Sequence, residues 1–169
     1  MRAELTYLAP MLLGGVGFYG DPISIKGGWD SENEIGNTWR RFMAWLEENP
    51  SRPYALGKGM LYEVHIYGPE TKTKGYFEVF VGEEVAAGAL PIPLSAKWIP
   101  GGEALRITLS GEEITGDWWK NLEAEILPAR GLIRGGEYLI EAYDERFKGM
   151  DKVSESELDI YLPVRRVQS

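Results

Sequence analysis

The same order of elements occurs twice along the chain, and that repetition restricts the fold more than any single motif does. In the first round, Met11 to Tyr19 is an extended segment closed by the turn Gly20-Asp21-Pro22. A Gly- and polar-rich loop over 25–36 leads into NTWRRFMAWLEENP. Asn37 or Thr38 can cap this stretch, and Trp39, Phe42, Met43 and Leu46 recur at helical spacing before Pro50 and Pro53 end it. MLYEVHIY (60–67) and GYFEVFV (75–81) alternate as strands around the polar turn GPETKTK. AAGALPIPLSAKW (86–98) is a Pro-spaced crossing connection.

The second round begins with the strand EALRITLS (103–110) and the helix ITGDWWKNLEAEILP. Within that helix Trp118, Leu122, Glu125 and Ile126 share one side. LPARGLIRGG is a return loop, and EYLIEAY and ELDIYLPV are the last strands, separated by DERFKGMDKVSES. A shift of about 80 residues lays Trp39 over Trp119, Leu46 over Ile126, Glu63/His65 over Glu141/Tyr143 and FEVFV over LDIYL. The predicted fold is α+β: two pseudo-symmetric strand-helix-strand-strand modules, about 3–85 and 94–166, in one domain. Each has an antiparallel sheet and one helix. Each helix covers one face of its half-sheet, the halves pack side by side, and a ligand cleft forms at their junction.

Composition narrows the function classes. A net charge of −8 with no basic run excludes direct nucleic-acid binding and disfavours an anionic membrane surface. No segment approaches the ~20 apolar residues that span a bilayer, and MRAELTYLAPMLLGGVG lacks a signal-peptide layout. The chain therefore reads as cytoplasmic. It has no cysteine and a single histidine, so thiolate chemistry and a His-rich metal site are excluded; the expectation is no cofactor and no metal. Aromatics reach 12%, with six Trp and nine Tyr, enough to fill a core and wall a cavity. Gly15-Val16-Gly17-Phe18-Tyr19-Gly20 fits G-x-G-x-x-G, but Asp21-Pro22 and a loop follow where a phosphate-binding helix would have to open.

Glu141 stands out. In EYLIEAY both faces are largely apolar, as in a strand covered on both sides, yet an acid sits near the middle. Such a carboxylate pairs with an internal cation, meets a cationic ligand, or keeps its proton. Tyr143 points to the same side, and Glu63 and His65 hold the equivalent positions in the first round. Trp39, Tyr19, Trp98 and Trp118 are candidate aromatic walls.

Ile140-Glu141-Ala142-Tyr143-Asp144, a loop, then Asp159-Ile160-Tyr161-Leu162-Pro163 resembles the carboxy-terminal signature of GyrI-like small-molecule-binding domains. These are also the effector-binding domains of AraC- and MerR-type drug-sensing regulators. IPGGEALRITLSGE and LPARGLIRGG are similar to the preceding strand and return loop of that family, so the likeness is strongest over 99–163. In the first half WRRFMAWLEENP fits, while YGPETKTK replaces the usual Asp-rich turn. The resemblance implies the duplicated architecture and a cleft for apolar, often cationic, compounds around a central Glu, here Glu141. It leaves three functions open: small-molecule sensing or sequestration; hydrolysis of cyclopropane rings in aromatic genotoxins, with Glu141 and Tyr143 catalytic; and gyrase-type protein inhibition.

Overall fold

A computed structural model describes residues 1–23, 30–57 and 59–167; positions 25–29 of the predicted polar loop lie outside them. Nine strands alternate with a few helices: β1 (Arg2–Leu8), β2 (Met11–Gly20), α1 (Glu34–Glu48), β3 (Leu61–Tyr67), α2 (Pro69–Lys74), β4 (Phe77–Glu84), β5 (Ser95–Ile99) and β6 (Gly102–Ser110). A second helical segment follows, α3 (Trp118–Asn121), a π-helical stretch (Leu122–Ile126) and α4 (Leu127–Ala129). β7 (Leu132–Arg134), β8 (Tyr138–Tyr143) and β9 (Glu157–Arg166) complete the chain. The mixed α+β class expected from the sequence is the one observed.

All strands join one antiparallel sheet in the order β1-β6-β9-β8-β3-β4-β2-β5, with β7 added beside β9. The edge strands are the surprise. β1 pairs with β6, with Arg2 opposite Thr108, while β5 pairs with β2, with Met11 opposite Ile99. Neither was foreseen: no element was predicted over 2–8, and 95–98 falls in the stretch read as a crossing connection; β7 likewise falls in the predicted return loop. Edge strands carry little buried alternation, since one side faces water; Leu5, Tyr7 and Trp98 are all exposed.

Other differences have local causes. α1 starts a turn before the predicted cap, because the Asn33 side chain accepts the Gly36 N–H at 3.0 Å while Thr38 turns inward onto the Glu34 carbonyl. Its apolar stripe is Trp39, Phe42 and Leu46, and Met43 lies outside it, exposed. The predicted turn GPETKTK contains α2, where Pro69 opens the helix and left-handed Gly75 closes it. The second helix is shorter than predicted. Pro128 has no N–H to return to the preceding turn, and there the backbone widens so that Leu127 N–H reaches the Leu122 carbonyl.

The helices cover one face of the sheet. There Val16, Val79 and Val81 pack under Phe42 of α1, while Leu105, Ile107, Leu139, Leu158, Ile160 and Leu162 pack under the second helical segment. Among the described residues, no helix packs into the core of the opposite face. That core collects Leu8 of β1, Met11 and Leu13 of β2, Val64 of β3, Phe80 of β4, Ile99 of β5, Ala104 of β6 and Ile140 of β8. β1 and β2 lie six places apart in the sheet yet are joined by two residues, as are β5 and β6, so the sheet curls until its ends approach each other. The second face thus finds its cover within the curled sheet, whose two sets of strands adjoin at β3 and β8.

The connectors Ala9-Pro10 and Pro100-Gly101 pass each other at this closure. A Cβ on Gly101 would lie 2.7 Å from Pro10 Cδ and 2.8 Å from the Leu8 carbonyl. Gly101→Val is expected to cost about 1–3 kcal/mol through overpacking, read as a lower urea midpoint. An unchanged midpoint would mean that the connectors do not need this approach.

Candidate functional site

β3 and β8 are neighbours at the middle of the sheet, in a register that sets Glu63 directly opposite Glu141. Alternation puts Leu61, Glu63, His65 and Tyr67 of β3, with Leu139, Glu141 and Tyr143 of β8, on the helix-bearing face. Two acids facing one another across a ladder repel, and these are nearly sealed from water, Glu63 at 3% exposure and Glu141 at 7%.

Surrounding donors answer that repulsion. The Trp39 indole N–H, brought in by α1, donates to Glu63 Oε2, and His65 Nε2 lies 2.5 Å from Glu63 Oε1. The Tyr143 hydroxyl donates to Glu141 Oε2 at 2.5 Å. Aromatic rings close over the acids. Trp39 meets Tyr143 edge to face at 4.9 Å between centroids, Phe147 meets Tyr143 likewise at 4.9 Å, and Phe77 lies against His65 and Tyr67.

Burial first, and then the Glu63 charge, push the Glu141 carboxyl up to about 7, with His65 and the Tyr143 hydrogen bond pulling back. For His65, burial opposes the charged ring, but the Glu63 hydrogen bond and the two carboxylates outweigh it and raise its pKa. Burial and the neighbouring acids hold the Tyr143 hydroxyl well above its ordinary value, so it remains a donor. The cluster therefore retains protons near neutrality. One carboxylate oxygen of each glutamate and a ring nitrogen of His65 also lie within 4.8 Å of one another, a grouping that could hold a divalent ion. The sequence expectation had weighed only His-rich metal sites, not this mixed trio.

Of the residues singled out from the sequence, the structure brings together Glu141, Tyr143, Glu63, His65 and Trp39. Trp118 lies half-buried on the same face, edge-on to Trp119 at 5.6 Å. Two others lie elsewhere. Tyr19 pairs with Glu78 of β4, is 58% exposed and donates to Glu70 at 2.5 Å. Trp98 is 62% exposed on edge strand β5, separated from β3 by β2 and β4. Tyr67, Phe77, Phe147, Trp119 and Arg134 escaped notice. Tyr67 was legible, because it follows Glu63 and His65 at a period of two; the others converge through tertiary packing alone.

The model of the family described as GyrI-like small molecule binding domain matches residues 4–165. The chain belongs to the GyrI-like family. Small-molecule binding is thus its general function. Solved structures share the fold. SAV2435 bound to tetraphenylphosphonium superposes with a TM-score of 0.69 at 13% identity, over 98% of this chain and 94% of that one. The EcmrR C-terminal domain gives 0.66 at 14%, over 98% of both chains. A hydrolase encoded by lin2189 from Listeria innocua gives 0.55 at 12%, over 97% of this chain and 92% of the other. No curated protein matches the chain. Among the described residues of this GyrI-like domain, no helix is long and apolar enough to cross a membrane.

The proton held by Glu141 makes stability depend on pH. The folded chain binds it more tightly than the unfolded chain, whose glutamate titrates near 4.5. This contribution is complete below that value and is lost as pH rises through about 7. The raised His65 acts in the same direction, its contribution fading as pH rises through its folded pKa. Stability is expected to be lower at pH 8 than at pH 5 by on the order of 2 kcal/mol, read as a lower thermal midpoint. Glu141→Gln should remove most of the slope; an unchanged slope would place the retained proton elsewhere.

Proposed function

We propose that the domain binds an apolar, aromatic, cationic small molecule over the β3–β8 junction, acting in drug or toxin sensing or sequestration. The observation that carries this reading is the opposed pair Glu63 and Glu141, buried beneath Trp39, Tyr143 and Phe147. Even with His65 charged, two ionised glutamates leave a net negative charge in a dry place, and a delocalised organic cation relieves it. Aromatic rings give such a cation a large contact area and cation–π attraction. The bulky aromatic monocation bound to SAV2435 has the chemistry this site favours. Glu141, Tyr143, Trp39, Glu63 and His65 are the contacts assigned, with Trp118 at the periphery.

The same reading takes the chain as a duplicated unit, about 3–85 and 94–166. It is supported by the strand order, in which β3, β4, β2 and β5 on one side answer β8, β9, β6 and β1 on the other. A twofold relation between those halves passes through the Glu63–Glu141 pair, which explains why the acids meet.

Tetraphenylphosphonium is the probe, with Trp39 fluorescence as the readout. Affinity is expected to rise from about pH 5 to pH 7 as Glu141 ionises, then level off. Glu141→Gln should weaken binding by about 1–3 kcal/mol and flatten that pH dependence. Equal affinity in the variant removes Glu141 from the site.

A second reading rests on Glu141 titrating near 7 while bonded to Tyr143. That is the protonation poise of an acid–base pair. In hydrolysis of a cyclopropane fused to a conjugated ketone, Glu141 would take a proton from water as its oxygen attacks the ring carbon. The electrons of the breaking C–C bond would flow to the carbonyl oxygen, protonated by Tyr143. Multiple turnovers of an activated cyclopropyl enone, lost in Glu141→Gln with binding retained, would establish it; stoichiometric uptake without product would leave sequestration.

A further inference from the structure

Arg134 ends β7 opposite Val164, and its side chain enters the helix-bearing side of the sheet between two rings. Its guanidinium carbon lies 5.2 Å from the centroid of Tyr67 and 5.2 Å from that of Trp119. The rings hold the plane of the fork but offer its edge no acceptor. Nε and Nη2 are buried and make no hydrogen bond among the described residues. A buried amine can shed its charge; a guanidinium does not, so these donors remain ionised and unsatisfied.

Tyr67 ties this fork to the acid pair. Its hydroxyl lies 3.5 Å from His65 Nδ1, and His65 Nε2 lies 2.5 Å from Glu63, so the imidazole and the phenol stand in line between the acid and the guanidinium. Burial raises the Tyr67 hydroxyl pKa, and the opposing influences of Glu141 and Arg134 both reach it. The site thus has an anionic floor and, beyond the His65 and Tyr67 rings, a cationic wall with vacant donors.

We propose that Arg134 is the acceptor-reading half of the site: the ligand seated on the glutamates also carries a carboxylate whose oxygens take the Nε and Nη2 hydrogens. The inference rests on the ligand reading above and narrows the ligand to an amphoteric aromatic compound, with donor or positive character at one end and a carboxylate at the other. A fixed fork between two rings suits a planar oxygen group better than a point charge would.

A matched pair of dyes tests it: a rhodamine with a free carboxylate, and its ethyl ester, which shares the cationic ring system. A site made only of glutamates would prefer the ester, because the carboxylate would be repelled. Wild-type protein is expected to prefer the acid by about tenfold or more. Arg134→Gln should abolish or reverse that preference by weakening the acid more than the ester, and Arg134→Lys should restore only part of it. Glu141→Gln should weaken both dyes together. Equal or ester-favouring binding by wild type overturns the inference alone, as does a preference that survives Arg134→Gln. Failure of both dyes and of tetraphenylphosphonium to bind overturns the ligand reading as well.

Discussion

Two carboxylates held against each other in the dry centre of a sheet form the constraint around which the rest of this molecule is arranged. Direct opposition of Glu63 and Glu141 follows from the β3–β8 register and is unfavourable until donors or a cation intervene. The donors come from separate places: an indole from α1, an imidazole two residues along β3, and a phenol two residues along β8. The position of α1 therefore satisfies a buried carboxylate as well as packing against the sheet. Its cap at Asn33, its buried Phe42 and the inward-turned Thr38 all serve to bring Trp39 to Glu63.

Acidic residues near the end of the chain divide between two tasks because strand side chains alternate. Glu141 and Tyr143 face the helices and the site. Asp159, paired in the ladder with Ala142 and Thr108, faces the other way, where it accepts from the Thr108 hydroxyl at 2.6 Å and from Arg146 at 2.7 Å. Arg146 also grips Asp144 at 2.8 Å, so the turn leaving β8 is pinned to β9. The signature that the sequence shares with its family thus contains both an acid of the buried pair and the two aspartates that Arg146 clasps together.

Legibility in the sequence follows burial. β3, β8 and β9 are covered on both faces or alternate cleanly, and their positions, the α+β class and the gathering of Glu63, His65, Glu141 and Tyr143 could all be read from period and spacing. β1 and β5 could not, because an edge strand with exposed Tyr7 or Trp98 has no hydrophobic rhythm, and Pro91 and Pro93 make the approach to β5 look like loop. Tyr19 and Trp98 seemed suitable walls by residue type, but strand parity and edge placement send them away from the acids. The Arg134 sandwich joins β3, α3 and β7 across more than 60 residues and has no local signature at all.

The exchange of edge strands also orders events during synthesis. β1 is made first, yet its hydrogen-bonding partner is β6, so Arg2–Leu8 must wait for residues 102–110 before it can join the sheet. The amino-terminal half can assemble β2, β3 and β4, but its outer edge at β2 stays uncovered until β5 arrives. Such long-range pairing gives a high contact order, and closure of the curled sheet becomes a late step that draws on nearly the whole polypeptide.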